Sequence, residues 1–372
     1  LKIILYISHT SDISGAERSL LEILSCLDKN KWKPIVIAPT GPLHEAVMKM
    51  GIYFIAIKLP VINKPKTLFD SLKLAWKLES SRLKISTIIN EISPDVIHAN
   101  TTRAMMLTPR TNIPVIWHLR DLALPCFITR ILFSQANRIA VISDFIENEF
   151  IRSIHVNSSK FFHLPPSVNT DIFIPGTPGD FRLKYGLPAD VPLIGMVAQF
   201  VSWKRHGLFL DALESISSRP WHAVLTGATF NSNDDYIGSI TSRLLVPPLL
   251  GRVSVIDWVD DCQELYNAMD VSVLTSSNEP FGRVIIESMA CGIPVVAVDE
   301  GGPKEIIRKG DTGILVEPNS AAIATAISYL LDNKEKRNKI ALSARQYVID
   351  NYNHNAMSER LDIIYADLTS RE

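Results

Sequence analysis

Short runs rich in β-branched residues alternate with helical stretches along this chain, and that alternation restricts its fold more than any other feature. Residues 3–7, 35–38, 53–57, 96–98, 115–118 and 139–142 are such runs in the first half, and 193–197, 223–225, 253–256 and 271–274 continue the pattern in the second. Strand, helix and strand of one sense make a right-handed crossover, so the pattern predicts an α/β fold with parallel sheets covered on both faces. Ligands of such sheets bind at the carboxyl ends of the strands, and functional residues are to be sought just after each run. A chain of 372 residues exceeds a single ordinary core, so two domains are expected. The stretch 162–179, dense in proline and glycine, marks the boundary between them.

Hydrophobic residues make up 47% of the chain and charged residues 21%, a globular balance, and the formal net charge of -1 gives no electrostatic case for nucleic acid. Cys26, Cys126, Cys262 and Cys291 show neither metal spacing nor a disulfide framework, which fits a reducing compartment. The opening LKIILYIS turns polar too early for a signal peptide, and no later run approaches ~18 apolar residues. A cytoplasmic location is therefore expected for a chain that here begins at Leu1.

Residues 277–305, SNEPFGRVIIESMACGIPVVAVDEGGPKE, combine a loop, a helix start and a buried strand. Pro280 and Gly282 resist an α-helix, so a helix is predicted over 283–290, stopped by Cys291-Gly292, with Glu279 outside it and Glu287 within. The break lets the two carboxylates approach one ligand from different directions. Free N–H groups around Phe281, Gly282, Arg283 and Val284 suit a phosphate, and the carboxylates suit the hydroxyls of a sugar and a ribose. Gly15 and Ala16 open an amphipathic helix after the first strand, but they do not match G-x-G-x-x-G, which disfavours a nicotinamide or flavin enzyme.

The setting EPFGRVIIESMACGIPVV followed by GGPKEI resembles the retaining glycosyltransferases of family 4, and the likeness covers nearly the whole length. The resemblance implies the GT-B architecture. An acceptor-binding Rossmann-like domain over 1–172 and a donor-binding one over 173–352 would face a central cleft, with a terminal helix over 353–372 crossing back to the first domain. It implies further that Glu279 contacts the donor hexose and assists electrostatically, that the backbone at Phe281 and Gly282 holds its hydroxyls, and that Glu287 binds the ribose. Gly15 stands in the family's G-[GA]-A-E element, where the backbone approaches the donor phosphate, and His118, in WHLRD, stands where a family histidine faces the donor sugar. Lys204, expected at a helix start, matches a phosphate-binding lysine, and the backbone near Trp258 and Val259 matches the segment that reads the base. Arg120 and Asp121 read either as a mutual pair or as acceptor contacts, and Gly301, Gly302 and Glu305 read as a second loop-to-helix start at the sugar or phosphate edge, or Gly301-Gly302 as only a turn.

The chain departs from the family pattern in places. Gln199 stands where an arginine commonly binds phosphate, so Lys204 is expected to act alone or with Arg205. Asp257 replaces a frequent glycine, and the neighbourhood of Pro166 and Ser167 lacks the usual Asn-Gly. No D-x-D stands in a metal-site context, in keeping with the metal independence that the resemblance implies, and no cofactor is expected. The implied reaction moves a hexose from a nucleotide-diphosphate sugar, UDP-glucose or a similar UDP-hexose, to a saccharide or lipid-linked acceptor in polysaccharide or glycoconjugate synthesis. GDP-mannose is the competing donor, and a sugar-nucleotide epimerase and a non-catalytic nucleotide-sugar-binding subunit are the competing functions. Two segments of the first half read as surface-active. Residues 64–84, basic and amphipathic, suit anionic lipid headgroups or a solvated helix face, and residues 122–133, strongly apolar, suit a lipid-linked acceptor or a core helix.

Overall fold

The computed structural model describes residues 1–62, 66–121, 126–156, 158–177, 179–227, 234–257, 259 and 262–370. The chain divides into two compact units, Leu1–Ser167 with His354–Glu372, and Val168–Asn353. In the first unit the strands are β1 (Lys2–Ile7), β2 (Trp32–Ala38), β3 (Tyr53–Ala56), β4 (Val96–Ala99), β5 (Val115–Leu119), β6 (Arg138–Val141) and β7 (Phe161–His163). They pair in parallel in the order β3-β2-β1-β4-β5-β6-β7. Helices α1 (Gly15–Cys26), α2 (Pro42–Lys49), α3 (Leu68–Ile92), α4 (Thr102–Leu107), α5 (Cys126–Gln135) and α6 (Asp144–Ile154) make the crossovers. The central strands are buried on both faces, which is why they read as continuous apolar runs.

The second unit repeats the plan. Strands β8 (Leu193–Val197), β9 (His222–Thr226), β10 (Val253–Ile256), β11 (Val271–Leu274), β12 (Val295–Val298) and β13 (Ile314–Val316) pair in parallel in the order β10-β9-β8-β11-β12-β13. Its helices are α7 (Gly179–Lys184), α8 (His206–Ser215), α9 (Asp234–Arg243), α10 (Cys262–Ala268), α11 (Arg283–Ala290), α12 (Pro303–Ile306), α13 (Ser320–Asp332) and α14 (Lys334–Asn351). A last helix, α15 (His354–Thr369), returns to the first unit. There it buries Met357, Leu361, Ile364, Tyr365 and Leu368 in the core formed by β1, β2, α1 and their neighbours. Its Asp362 accepts from the Trp32 indole N–H at 2.6 Å, and its Asp367 pairs with Arg138 at 2.7 Å. Two parallel Rossmann-like sheets with a terminal helix on the first unit are thus what the sequence implied.

Some local expectations change. The supposed linker from 162 begins as strand, because Phe161, Phe162 and His163 pair with β6 before the prolines end the ladder. Lys204 is not at the start of the α-helix. It closes a 3-10 turn, Ser202–Lys204, and Arg205 at φ +55° separates that turn from α8. Part of each surface segment, residues 64–65 and 122–125, lies outside the described residues, as does Trp258. Among the described residues no helix is long and apolar enough to cross a membrane.

Candidate active site

In the second unit the strand order reverses between β8 and β11, and the loops beyond their carboxyl ends are where a ligand of such a sheet binds. Thr275, just past β11, donates to the carbonyls of Lys204 (2.8 Å) and Arg205 (3.1 Å), and the Ser277 N–H donates to the Trp203 carbonyl at 2.7 Å. These bonds tie the loop after β8 to the loop after β11. The loop after β12 braces the same place from the other side, with the Gly302 N–H donating to the Glu279 carbonyl at 2.8 Å. A Cβ on Gly302 would lie 2.6 Å from Phe281 Cα, and one on Gly301 2.5 Å from the Glu279 carbonyl oxygen, so only glycine permits this backbone-on-backbone approach. Gly301-Gly302 is therefore a support for the Glu279 loop, whatever else it touches. Gly227 does the same for the loop after β8, since its Cβ would meet the Ala198 carbonyl oxygen at 1.9 Å.

The acidic residues of this scaffold are each matched by a base. Lys204 Nζ lies 2.6 Å from Glu279 Oε2, both side chains being mostly buried, and the same ammonium sits 4.0 Å above the Trp203 ring centre. Arg283, one turn earlier on α11, pairs with Glu287 Oε1 at 3.0 Å, and the Tyr266 hydroxyl donates to Glu287 Oε2 at 2.9 Å. Burial first, and the neighbouring Glu287 charge second, push the Tyr266 phenol well above its ordinary pKa, so it remains a donor. Arg205 pairs with Glu300 at 2.9 Å. Gly282, at φ +103°, caps α11, a backbone conformation that favours glycine. Phe281 is buried with its ring edge-on to Tyr352, which leaves its backbone rather than its side chain for a ligand.

The other residues named from the sequence are spread over the scaffold. Gln199 is exposed in the loop after β8, and Val284 is half-buried on α11. Val259 is packed into the core with Ile256, Leu265 and Tyr266, so its side chain is not offered to a base. Gly15 and His118 belong to the first unit. Gly15 is the exposed first residue of α1, and a Cβ there would meet nothing within 4 Å, so the fold itself does not demand glycine.

His118 ends β5 inside a buried chain of hydrogen bonds. Tyr6 and Tyr365 share a bond of 2.7 Å, the Tyr365 hydroxyl lies 2.8 Å from His98 Nδ1, and His98 Nε2 lies 3.1 Å from His118 Nδ1. Arg120 also reaches His118 Nδ1 at 3.1 Å, while its other N–H groups donate to the Asn100 carbonyl and side chain and to Ser19. A guanidinium can only donate, so His118 Nδ1 accepts and its proton sits on Nε2. His98 then donates through Nε2, accepts at Nδ1 from Tyr365, and Tyr365 accepts from Tyr6. Burial, and then the Arg120 charge, lower the pKa of both histidines, His98 to about 3, so both are neutral at physiological pH. His118 Nε2 is buried without a well-aligned hydrogen-bond partner among the described residues, the nearby Leu164 backbone included. Asp121, for its part, accepts from Thr102 at 2.9 Å.

Sequence reasoning missed Tyr266, Trp203, Thr275, Gly227, His98 and Tyr365. No local motif announces them, and no local spacing links Tyr266 to Glu287 or Tyr365 to His98. For metal, the described residues offer one group of potential ligands, Asp144, Glu147 and His163, in the first unit. There the imidazole bridges the two carboxylates at 3.3 and 2.6 Å.

Comparison with known proteins bears on the family and the fold. A family model described as glycosyl transferases group 1 matches residues 180–347, and one described as glycosyltransferase family 4 matches residues 13–172. A D-inositol 3-phosphate glycosyltransferase of Xylanimonas cellulosilytica is 30% identical over 53% of this chain and 49% of its own length. The lipopolysaccharide core biosynthesis glycosyltransferase LpsE of Rhizobium meliloti is 31% identical over 48% of this chain and 51% of its own. The chain thus spans about half the length of the curated relatives it matches. The crystal structure of a glycosyltransferase from Rickettsia africae superposes with a TM-score of 0.85 at 24% identity, covering 100% of this chain and 99% of the other. Anabaena HepE, solved with UDP-glucose, superposes with a TM-score of 0.80 at 21% identity over 98% of this chain and 99% of its own.

Proposed function

Because the chain belongs to glycosyltransferase family 4, we propose that it transfers a hexose from a UDP-hexose, UDP-glucose above all, to a saccharide or lipid-linked acceptor, with retention at the anomeric carbon. The observation that carries this reading is the pair of buried, cation-matched carboxylates, Glu279 with Lys204 and Glu287 with Arg283, set at the opening of α11 on a glycine-braced loop. Such a loop is pre-organised, which is what recognition of hydroxyls beside a diphosphate requires. The UDP-glucose found with the similarly folded HepE is in keeping with a uridine donor.

In this reading Glu287 accepts from the ribose hydroxyls and Glu279 from the hexose. The departing diphosphate gains negative charge as the anomeric carbon becomes oxocarbenium-like. Lys204, Arg205 and the N–H groups at the start of α11 stabilise that charge. Lys204 is held ready by Glu279, which takes one of its N–H bonds and leaves the others for phosphate oxygens. The acceptor oxygen attacks the anomeric carbon from the face that the diphosphate leaves. The bond from that carbon to the phosphate oxygen breaks, and the acceptor proton passes to the departing phosphate. His118, buried in the first unit and neutral, takes up no proton itself.

The test follows donor cleavage without acceptor by phosphorus and proton magnetic resonance. UDP-glucose should be hydrolysed slowly to UDP and, at first, α-glucose, with Lys204→Ala lowering the rate about 100-fold or more. Initial release of β-glucose would refute retention, and cleavage of GDP-mannose in preference would refute the uridine donor.

A further inference from the structure

Helix α3 carries two apolar stripes, and the fold uses only one of them. Leu78, Ser81, Ile85 and Ile89 form the buried face. Leu68, Phe69, Leu72, Trp76 and Leu83 are 78%, 73%, 63%, 73% and 64% exposed. At about 100° per residue these five fall together on a second stripe, centred roughly 150° round the helix from the buried one. Lys73, Lys77 and Lys84, all exposed, run as a row along one edge of that stripe. Of the acidic residues of α3, Glu91 stands exposed at the far end of the lysine row, and the other two are engaged. Asp70 closes the capping box with Thr67, and Glu79 pairs with Arg82 at 3.5 Å.

We infer that this second face of α3 docks on a lipid surface bearing anionic headgroups. A contiguous exposed strip of leucine, phenylalanine and tryptophan is costly in water, and one of its edges is lined by ammonium groups. That combination, apolar side chains to enter the headgroup boundary and lysines to meet phosphates, is complementary to an anionic bilayer and not to an uncharged one. A second copy packed antiparallel through the same stripe would set the lysine row of one molecule close to that of the other, which charge repulsion opposes. The inference takes from the proposed function only its use, that a lipid-linked acceptor would be met at such a surface. Its geometry stands without any activity.

Co-sedimentation of the full chain with vesicles tests it. The chain should bind phosphatidylglycerol-containing vesicles at least tenfold better than pure phosphatidylcholine ones, and added salt should weaken binding. Leu72→Ser with Trp76→Ser, and separately Lys73→Glu with Lys77→Glu, should each reduce vesicle binding at least tenfold while leaving nucleotide-sugar binding unchanged. Absence of binding to anionic vesicles, or binding that neither pair alters, would overturn the inference. So would a dimer in sedimentation velocity that the Leu72→Ser, Trp76→Ser variant converts to monomer, since the face would then belong to a second copy. Donor binding is measured apart from vesicle binding, so the transferase reading and this one fail separately.

Discussion

A carboxylate taken out of water needs a cation or several donors, and Glu279 and Glu287 are each given one cation. Glu287 has a second partner in Tyr266, whose hydroxyl is buried and held protonated. Tyr266→Phe removes that one hydrogen bond and keeps the ring. A hydrogen bond to a charged group contributes about 1.5–3 kcal/mol to stability, so the thermal midpoint should fall by several degrees, and donor affinity should fall with it as Glu287 loses the partner that orients it. The buried histidines predict a pH effect. His98 binds a proton near 6.5 when unfolded and only near 3 when folded, so between those values the unfolded chain takes up the proton. The stabilisation is complete above about pH 6.5 and is lost progressively as pH falls towards 3. From pH 7 to pH 5 His98 alone should cost on the order of 2 kcal/mol. Denaturant titrations at the two pH values should show that loss, and His98→Gln should reduce the slope. An unchanged slope would mean that His98 is charged in the fold.

At the scale of elements, what the sequence made legible was local. Pro280, Gly282 and Gly292 bracket a helix whose residues, Arg283–Ala290, match the expectation, because each boundary is set by a neighbour in the chain. The strands show through because burial on both faces makes them continuous apolar runs. β7 and β13 do not, since a three-residue edge strand beside prolines or glycines looks like a loop until its neighbour pairs with it. The partners of Glu287 and His118 come from elements far away in sequence, so no spacing could announce them. Glycine is equally ambiguous in sequence, and here the structure separates two kinds. Gly302→Ala drives a Cβ against Phe281 Cα, so it should displace the Glu279 loop, lower the thermal midpoint and abolish donor binding. Gly15→Ala meets open space and should leave the thermal midpoint unchanged. Should it also leave donor affinity unchanged, no phosphate approaches the backbone at Gly15.

For the whole molecule, the terminal helix is part of the first unit's core although it follows the second unit in sequence. Met357, Leu361, Ile364 and Leu368 are almost fully buried, and at about 1.5–3 kcal/mol each their loss rivals the entire stability of a domain. Truncation after Asn353 should therefore abolish cooperative unfolding of the first unit and leave the second unit's transition near its original temperature. Two unaltered transitions would show that α15 only decorates the surface. The truncation also removes Tyr365 from the chain that sets the protons of His98 and His118.

Calorimetric titration of the full chain with UDP-glucose and GDP-mannose, for the wild type and for Glu287→Ala, bears most directly on the claim that the loop and helix from Glu279 to Glu287 hold a nucleotide sugar. The wild type should bind UDP-glucose with one site per chain, and Glu287→Ala should remove that binding while the chain still unfolds cooperatively, at a lowered thermal midpoint. Binding of GDP-mannose instead would change the donor and keep the site. No binding of either, or binding that Glu287→Ala leaves intact, would contradict the account.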